Sequence, residues 1–159
     1  MDDNLLGGTL HTEIGQLQDL RTLTFANNAL QGSIPTEYGL LTMIREVLDL
    51  SKNQLSGRIP SELGRINSRL RGLRLNNNLF SGSVPSAFDQ FTKLSELFLQ
   101  SNDLTGVMPE SVCTVFNSTL PTVYIDCEEV DCPCCTFCCT DEEGCVCRYL
   151  NTPQEFLCI

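Results

Sequence analysis

One arrangement of apolar and polar positions recurs along the chain about every 24 residues, and each copy is centred on an asparagine. Ahead of the asparagine, apolar residues alternate with polar ones, as Leu48 and Leu50 do before Asn53. Alternation with a period of two predicts a short strand whose apolar side chains face a core. Behind the asparagine the chain runs apolar-x-Gly-x-apolar-Pro, as from Leu55 to Pro60. Each copy therefore predicts one strand, a turn and a second short apolar segment.

The copies are too short to fold alone and are expected to stack. A unit of this length cannot bury its own apolar side, so consecutive units cover one another and form a solenoid. The copies are aligned on five asparagines: Asn4, Asn28, Asn53, Asn78 and Asn102. An inward amide can bind backbone groups of the turn that a sheet leaves unpaired. We therefore predict that the asparagines stack as a ladder.

The glycine and proline of each copy fit the turns of such a coil. Glycine allows turn geometry that a Cβ would hinder, and proline fixes φ and can open a helical turn on the convex side. Further apolar residues are expected to complete the core: Tyr38, Leu63, Phe88, Leu17, Leu41, Ile66 and Phe91. The fold class predicted is an α/β solenoid, a right-handed superhelix with a concave parallel β-sheet and short 3-10 or helical turns on the convex side.

A few copies depart from the period. The second and third each carry one extra residue, near Met43–Glu46 and near Ile66–Leu70. His11 stands where proline is expected, and Asp89 replaces the usual glycine of the convex side. We interpret these departures as tolerated changes in loops.

The LxGxIP element resembles one class of leucine-rich repeat. It reads LQGSIP, LSGRIP and FSGSVP, and it is similar to the plant-specific class found in receptor-kinase ectodomains, receptor-like proteins and polygalacturonase inhibitors. The resemblance covers about residues 1–116, which we predict to be the repeat domain. It implies a second short strand at LxGxIP and binding of peptides, proteins or glycans on the concave or lateral face. No kinase signature occurs in the sequence.

The start of the chain is expected to be incomplete. Met1 precedes Asn4 at what should be a core strand position, so the sequence opens within a repeat. It has neither a charged-then-apolar signal segment nor an N-terminal cap. We expect the chain to be the C-terminal fragment of a longer protein, whose signal segment is missing with its start and whose missing N-terminal part is the place for any membrane anchor.

All ten cysteines lie in residues 113–159: Cys113, Cys127, Cys132, Cys134, Cys135, Cys138, Cys139, Cys145, Cys147 and Cys158. We predict that residues 117–159 form a disulfide-rich cap with a degenerate sixth strand at TVYID, because such a cap can seal a solenoid end in an oxidising compartment. The connectivity is not given by the sequence. The DCEEVDCPCCTFCC segment also resembles the C-terminal end of leucine-rich repeat proteins of diatoms and related algae.

Metal binding is the competing hypothesis for these cysteines. CPCC and CTFC each contain a Cys-x2-Cys pair, and four thiolates can hold zinc. However, the two pairs share Cys135, and the acidic residues around them disfavour further thiolates. Disulfides are favoured, no metal ligand or cofactor is assigned, and a thiol-cluster protein on a repeat scaffold is kept as an alternative.

Charge and composition exclude several functions. The formal charge of −10 argues against nucleic acid and anionic membranes as partners. No apolar run is long enough to span a bilayer. His11 is the only histidine, and it has no fixed nucleophile partner, so no catalytic triad is predicted. Asn117 opens an Asn-x-Ser/Thr glycosylation acceptor that we place in a surface loop, and it supports an extracellular or cell-surface location.

The outward positions of the strands define a candidate ligand face. They are Thr24, Asp49, Ser51, Arg74, Asn76, Phe98, Gln100, Tyr124 and Asp126. Phe98 and Tyr124 would be exposed aromatics beside Arg74, and aromatic and arginine clusters are typical of binding hot spots. The alternative is a local ladder without a ligand, in which Arg74 pairs with Asp49 and lies over Phe98.

These observations favour a recognition module rather than an enzyme. The main hypothesis is that the chain binds a protein, peptide or glycan through its concave face, as part of a secreted or cell-surface protein. The alternatives are the thiol-cluster metal protein and an ectodomain fragment of a receptor-like kinase. The sequence does not identify the ligand.

Overall fold

The computed structural model describes residues 4–66, 68–119, 122–126, 129–135, 137–140, 144–147 and 156–157. Between Gly7 and Thr119 the chain forms stacked coils that pass through a concave sheet, a second sheet and a convex helical turn. The α/β solenoid predicted from the repeat is confirmed.

The concave sheet has eight strands. They are β2 (Leu23–Thr24), β4 (Val47–Asp49), β6 (Gly72–Arg74), β8 (Glu96–Phe98), β11 (Thr122–Asp126), β13 (Phe137–Thr140), β14 (Gly144–Cys147) and β15 (Phe156–Leu157). Neighbours from β2 to β13 pair in parallel, with one strand contributed by each coil. The last two strands pair antiparallel, so the sheet is not parallel throughout. Strand β11 lies at the predicted degenerate sixth position.

A second sheet runs along the side of the solenoid. It is formed by β1 (Gly7–Thr9), β3 (Ala29–Gly32), β5 (Gln54–Arg58), β7 (Leu79–Gly82) and β9 (Asp103–Leu104). These strands are the LxGxIP segments, as the resemblance implied. A separate parallel pair joins β10 (Gly106–Val107) to β12 (Val130–Asp131).

The convex side is built from short helices. Four are 3-10 helices: Thr12–Gln16, Thr36–Leu40, Ser61–Arg65 and Ser86–Gln90. A proline precedes three of them with φ of −63° to −65°, and His11 precedes the first with φ of −82°. Histidine therefore adopts nearly the conformation that proline imposes. The fifth coil has an α-helix instead, α1 (Glu110–Thr119), which contains Asn117. The glycosylation acceptor is thus exposed on a helix, and its prediction in a loop is wrong.

Glycine on the convex side marks a close approach between coils. A Cβ at Gly39 would overlap the carbonyl oxygen of Glu62 in the next 3-10 helix, and one at Gly64 would overlap that of Ala87. Asp89 occupies this place in the fourth coil, which is followed by α1 rather than by another 3-10 helix. The requirement for glycine therefore comes from the neighbouring coil.

The core runs the length of the stack. Leu48, Leu50, Leu73 and Leu75 are fully buried, as the alternation predicted. So are Tyr38, Leu63, Phe88, Leu41, Ile66 and Phe91 from the convex side. Leu17, in the first coil, is the exception among the predicted core residues, because it is 53% exposed.

Asparagine side chains tie successive coils together. The Oδ1 atoms of Asn28, Asn53, Asn78 and Asn102 accept the backbone N–H groups of Leu6, Leu30, Leu55 and Phe80 at 3.1, 3.1, 3.0 and 3.0 Å. Their Nδ2 atoms donate to backbone carbonyls of their own turns. Those of Asn53, Asn78 and Asn102 also donate to a carbonyl of the preceding coil. Asn4, the remaining predicted member, is exposed in the first described turn.

Disulfides fasten the C-terminal region. Cys113 of α1 is bonded to Cys134, and Cys132 to Cys135, with Cα–Cα distances of 5.4 and 5.5 Å. Four more cysteines lie on β13 and β14, where the structure describes no side chains: Cys138, Cys139, Cys145 and Cys147. Cys127 and Cys158 lie outside the described residues. The predicted division at residue 116 falls within α1 and stays a prediction.

The described residues include neither a metal-binding cluster nor a membrane-spanning helix. It contains no group of three or more His, Cys, Asp or Glu side chains arranged to hold a metal ion. None of its helices combines the length and apolar character needed to cross a bilayer.

Candidate binding face on the concave sheet

Strand pairing places the predicted outward residues in one column. Thr24 is paired with Asp49, Asp49 with Arg74, Arg74 with Phe98, and Phe98 with Tyr124. Parallel neighbours stand about 4.8 Å apart, which brings the side chains from Asp49 to Tyr124 into contact. The column therefore brings charge and aromatic surface together in the third to sixth coils.

Arg74 is held between two carboxylates. Its Nη2 lies 2.7 Å from Oε2 of Glu96, its Nε donates to the same oxygen at 3.1 Å, and its Nη1 donates to Oδ2 of Asp49 at 3.3 Å. The hydrogen bond to Glu96 is the main cause that raises the pKa of Arg74 above its ordinary value. Arg74 is thus a fixed cation whose two sides are already bonded.

The two aromatic side chains continue this arrangement. The guanidinium carbon of Arg74 lies 5.6 Å from the ring centroid of Phe98, within the range of a cation–π contact. The rings of Phe98 and Tyr124 meet edge to face, with centroids 5.0 Å apart and planes at 84°. We call Asp49, Arg74, Glu96, Phe98 and Tyr124 the Arg74 cluster.

The remaining outward residues, Ser51, Asn76, Gln100 and Asp126, form a second column, and three of them make local hydrogen bonds. Oδ1 of Asp49 accepts from the backbone N–H and the hydroxyl of Ser51 at 3.0 and 2.6 Å. Asp126 accepts the backbone N–H of Asn102 at 3.2 Å. The amide of Asn76 donates to Oδ1 of Asn77, and Oε1 of Gln100 is enclosed without a hydrogen-bond partner among the described residues.

Outward direction and exposure turn out to differ. Asp49 and Ser51 are both 7% exposed, so the expectation that they are accessible is wrong. Asp49 is buried because Arg74 bonds to it from the next coil, and Ser51 because it bonds to Asp49. Thr24, Arg74, Asn76, Phe98, Gln100, Tyr124 and Asp126 are half-buried.

Glu96 also belongs to this surface, although it was not predicted from the sequence. Leu97 points inward and Phe98 outward, so the alternation also places Glu96 outward. Its partner Arg74 lies 22 residues earlier and one coil away, so the pair follows only once the strand register is known.

Other proteins share this architecture. Residues 46–66, 69–91 and 93–115 match the model of the family described as Leucine Rich Repeat. The LRR ectodomain of the receptor kinase SOBIR1 from Arabidopsis thaliana is 30% identical with a TM-score of 0.73, over 83% of this chain and 70% of that chain. The plant peptide hormone receptor RGFR1, solved in complex with RGF2, is 35% identical with a TM-score of 0.72, over 82% and 20%.

A third similar structure is the BIR3–SERK2 complex from Arabidopsis thaliana. It is 32% identical with a TM-score of 0.65, over 71% of this chain and 60% of that chain. A comparison with curated protein sequences finds no match. The chain thus spans less than two thirds of some of these relatives and a fifth of RGFR1.

Stacked coils, a laddered turn and the LxGxIP strand define a repeat solenoid of the ectodomain type. The chain belongs to the leucine-rich repeat family. The resemblance to plant receptor ectodomains is confirmed, whereas the resemblance of the cysteine-rich end to diatom proteins stays a prediction.

Proposed function

We propose that this chain is a non-catalytic recognition module that binds a protein, peptide or glycan ligand through its concave sheet. The observation that carries the proposal is the Arg74 cluster, in which Phe98 and Tyr124 form an aromatic pair on an ordered surface. Aromatic and arginine side chains contribute much of the energy at protein interfaces. A related structure, RGFR1, was solved in complex with RGF2, which supports a peptide as the first ligand class to test.

The cluster is preorganised for contact. Arg74 needs no rearrangement to present its guanidinium face, because Glu96 and Asp49 fix it on either side. Side chains that are ordered before binding lose less conformational entropy when a ligand arrives. Phe98 and Tyr124 are half-buried, so each retains ring surface that a partner can cover.

A peptide library tests the proposal. Peptides enriched on the wild-type protein from a phage-displayed library would be measured by calorimetry against Phe98→Ala and against Glu37→Ala, an exposed residue of a convex 3-10 helix. We expect Phe98→Ala to weaken binding about 30-fold, the effect of a hot spot of about 2 kcal/mol. Glu37→Ala should leave it unchanged. Equal losses in both variants, or no enrichment at all, would contradict a concave peptide site.

The extracellular location belongs to the same proposal. Two disulfides among the described cysteines are typical of an oxidising compartment, and the similar structures are receptor ectodomains. We propose that the chain is part of a secreted or cell-surface protein, with residues 117–159 as its cap. An ectodomain fragment of a receptor-like kinase is the alternative, and a longer transcript would distinguish the two.

The thiol-cluster hypothesis can be tested on the same material. Cys113, Cys132, Cys134 and Cys135 are bonded to one another in pairs and hold no free thiol. We expect protein from a secretory host to show few free thiols on alkylation and intact-mass analysis, and no metal after dialysis. Many free thiols with bound zinc would instead support metal binding by the C-terminal region.

A further inference from the structure

A basic groove lies where the chain returns from the convex side to the concave sheet. Its volume is about 700 Å³, and it opens at the starts of β4, β6 and β8. The lining residues are Arg45, Glu46, Val47, Arg69, Arg71 and Lys93. None of them belongs to the Arg74 cluster, so the groove is a second surface beside the one proposed above.

The two irregular repeats build this groove. The extra residue of the second coil falls between Ile44 and Leu48, and that of the third between Ile66 and Leu70. At the first of these, the N–H groups of Arg45 and Glu46 both donate to the carbonyl of Arg21, at 3.1 and 3.3 Å. The two length departures interpreted from sequence as tolerated loop changes therefore lie at this groove.

The backbone ladder places arginines at matching positions of successive coils. The N–H of Arg45 donates to the carbonyl of Arg21, and the N–H of Arg71 donates to the carbonyl of Arg45 at 3.0 Å. Arg69 and Lys93 each directly precede the first buried apolar residue of their coils, so they also correspond. Two pairs of cations, Arg45 with Arg71 and Arg69 with Lys93, thus stand one coil apart along the groove.

The local charge opposes that of the whole chain. Four cations and one carboxylate line the groove, whereas the chain carries a formal charge of −10. Glu96, whose strand pairs with β6 at Gly72, is bonded to Arg74 at 2.7 Å, so its negative charge is balanced by Arg74. Arg69, Arg71 and Lys93 are exposed, and Arg45 is half-buried. A concentrated patch of one sign attracts ligands of the opposite sign.

We infer that the basic groove binds an anionic polysaccharide, carboxylated or sulfated, laid across successive coils. Coils recur about every 4.8 Å, whereas side chains on one face of an extended peptide recur about every 6.7 Å. The charges of an acidic peptide would therefore no longer match the cations after two coils. In a sugar chain with one charge on each ring, the spacing of the charges is closer to the spacing of the coils. Arginine presents a planar fork that can bind carboxylate or sulfate oxygens in pairs.

Binding of defined polyanions tests this inference on the full chain. The probes are heparin as a sulfated polysaccharide, polygalacturonate as a carboxylated one, polyglutamate as an acidic peptide and dextran as a neutral sugar. The test variant is Arg45→Gln with Arg71→Gln. The matched control is Arg58→Gln with Arg65→Gln, which removes the same charge from exposed positions on β5 and on a convex 3-10 helix.

At about 0.15 M salt, the wild-type protein should bind heparin, polygalacturonate or both more tightly than polyglutamate, and should not bind dextran. The groove variant should weaken that binding roughly 2- to 30-fold, from the loss of two ion pairs at the surface, and the control should not. Whichever polysaccharide binds identifies sulfate or carboxylate as the ligand group. Tighter binding of polyglutamate, equal losses in both variants, or no polysaccharide binding would overturn the inference. The peptide experiment on Phe98 is unaffected by either result, so the two proposals fail separately.

Discussion

Replacement of Asn78 by alanine should remove a connection between the third and fourth coils. Asn78 is 6% exposed, and its Oδ1 accepts the N–H of Leu55 at 3.0 Å. Its Nδ2 donates to the carbonyls of Leu50, Leu75 and Asn76 at 3.0, 3.1 and 3.3 Å. Alanine at this position therefore removes one acceptor and three donated hydrogen bonds.

The size of the effect depends on which groups lose their only partner. The Leu50 carbonyl also accepts from Asn53, and the Leu75 carbonyl from Asn102, so both keep a hydrogen bond. The N–H of Leu55 is bonded to Asn78 and lies in a fully buried residue. An orphaned buried N–H costs about 1–3 kcal/mol, and the weakened carbonyls add roughly 1 kcal/mol together. We expect Asn78→Ala to lower the free energy of unfolding by about 3 kcal/mol.

Urea unfolding followed by far-UV circular dichroism measures this change. Asn76→Ala is the matched control, because Asn76 is half-buried on the outward face and its amide donates to Asn77. The control should lie within about 0.5 kcal/mol of the wild type. Asn78→Asp should be at least as harmful as the alanine variant, since it keeps the acceptor but aims a carboxylate at carbonyl oxygens. An alanine variant no less stable than the control would refute the role assigned to the ladder.

Two further predictions concern the convex side. Gly64→Ala should destabilise the protein by about 1–3 kcal/mol, because the added Cβ would overlap the carbonyl of Ala87. The control Asp89→Ala should be nearly neutral. Thermal unfolding of both variants measures the difference, and equal effects would contradict the close approach between coils at Gly64. Tyr38→Phe should raise the free energy of unfolding by about 1 kcal/mol, since the buried hydroxyl has no hydrogen-bond partner within the described residues. Burial raises the pKa of Tyr38 above its ordinary value. The free energy of unfolding is therefore unaffected by this group below the unfolded pKa of about 10, and it falls as the pH rises from there toward the folded pKa. Urea unfolding at pH about 8 and about 11 should show that the free energy of unfolding falls less in Tyr38→Phe than in the wild type. An equal fall in both proteins would refute the attribution of this pH dependence to Tyr38.

The fold followed from the sequence because each coil repeats the same physical requirements. Period-two alternation was enough to identify Leu48 and Leu73 as core residues, and both are fully buried. It could not predict the antiparallel strands β14 and β15, which lie beyond the last repeat. Nor could it explain why Asp89 can replace the convex-side glycine, which depends on the helix α1 that follows in the next coil.

The candidate face was predicted in direction but not in environment. Alternation states which side of a sheet a residue occupies, and it says nothing about what covers that residue. Arg74 reaches back to Asp49 and forward to Glu96, which buries one predicted contact residue and adds another. Likewise, the arginines of the basic groove align only once coils of unequal length are superposed through their hydrogen bonds.

The asparagine ladder has a consequence for how such a chain can change length. Each hydrogen-bonded asparagine joins its own coil to the one before, as Asn53 does to Leu30 and Asn78 to Leu55. A tandem duplication of one complete repeat would therefore bring with it the asparagine that bonds the new coil to the coil before it. The gene can gain or lose whole coils while the asparagine hydrogen bonds between the neighbouring coils are kept. A duplication of an incomplete repeat would leave one pair of adjacent coils without these hydrogen bonds. Recognition surfaces of different reach can thus evolve by copying a single unit.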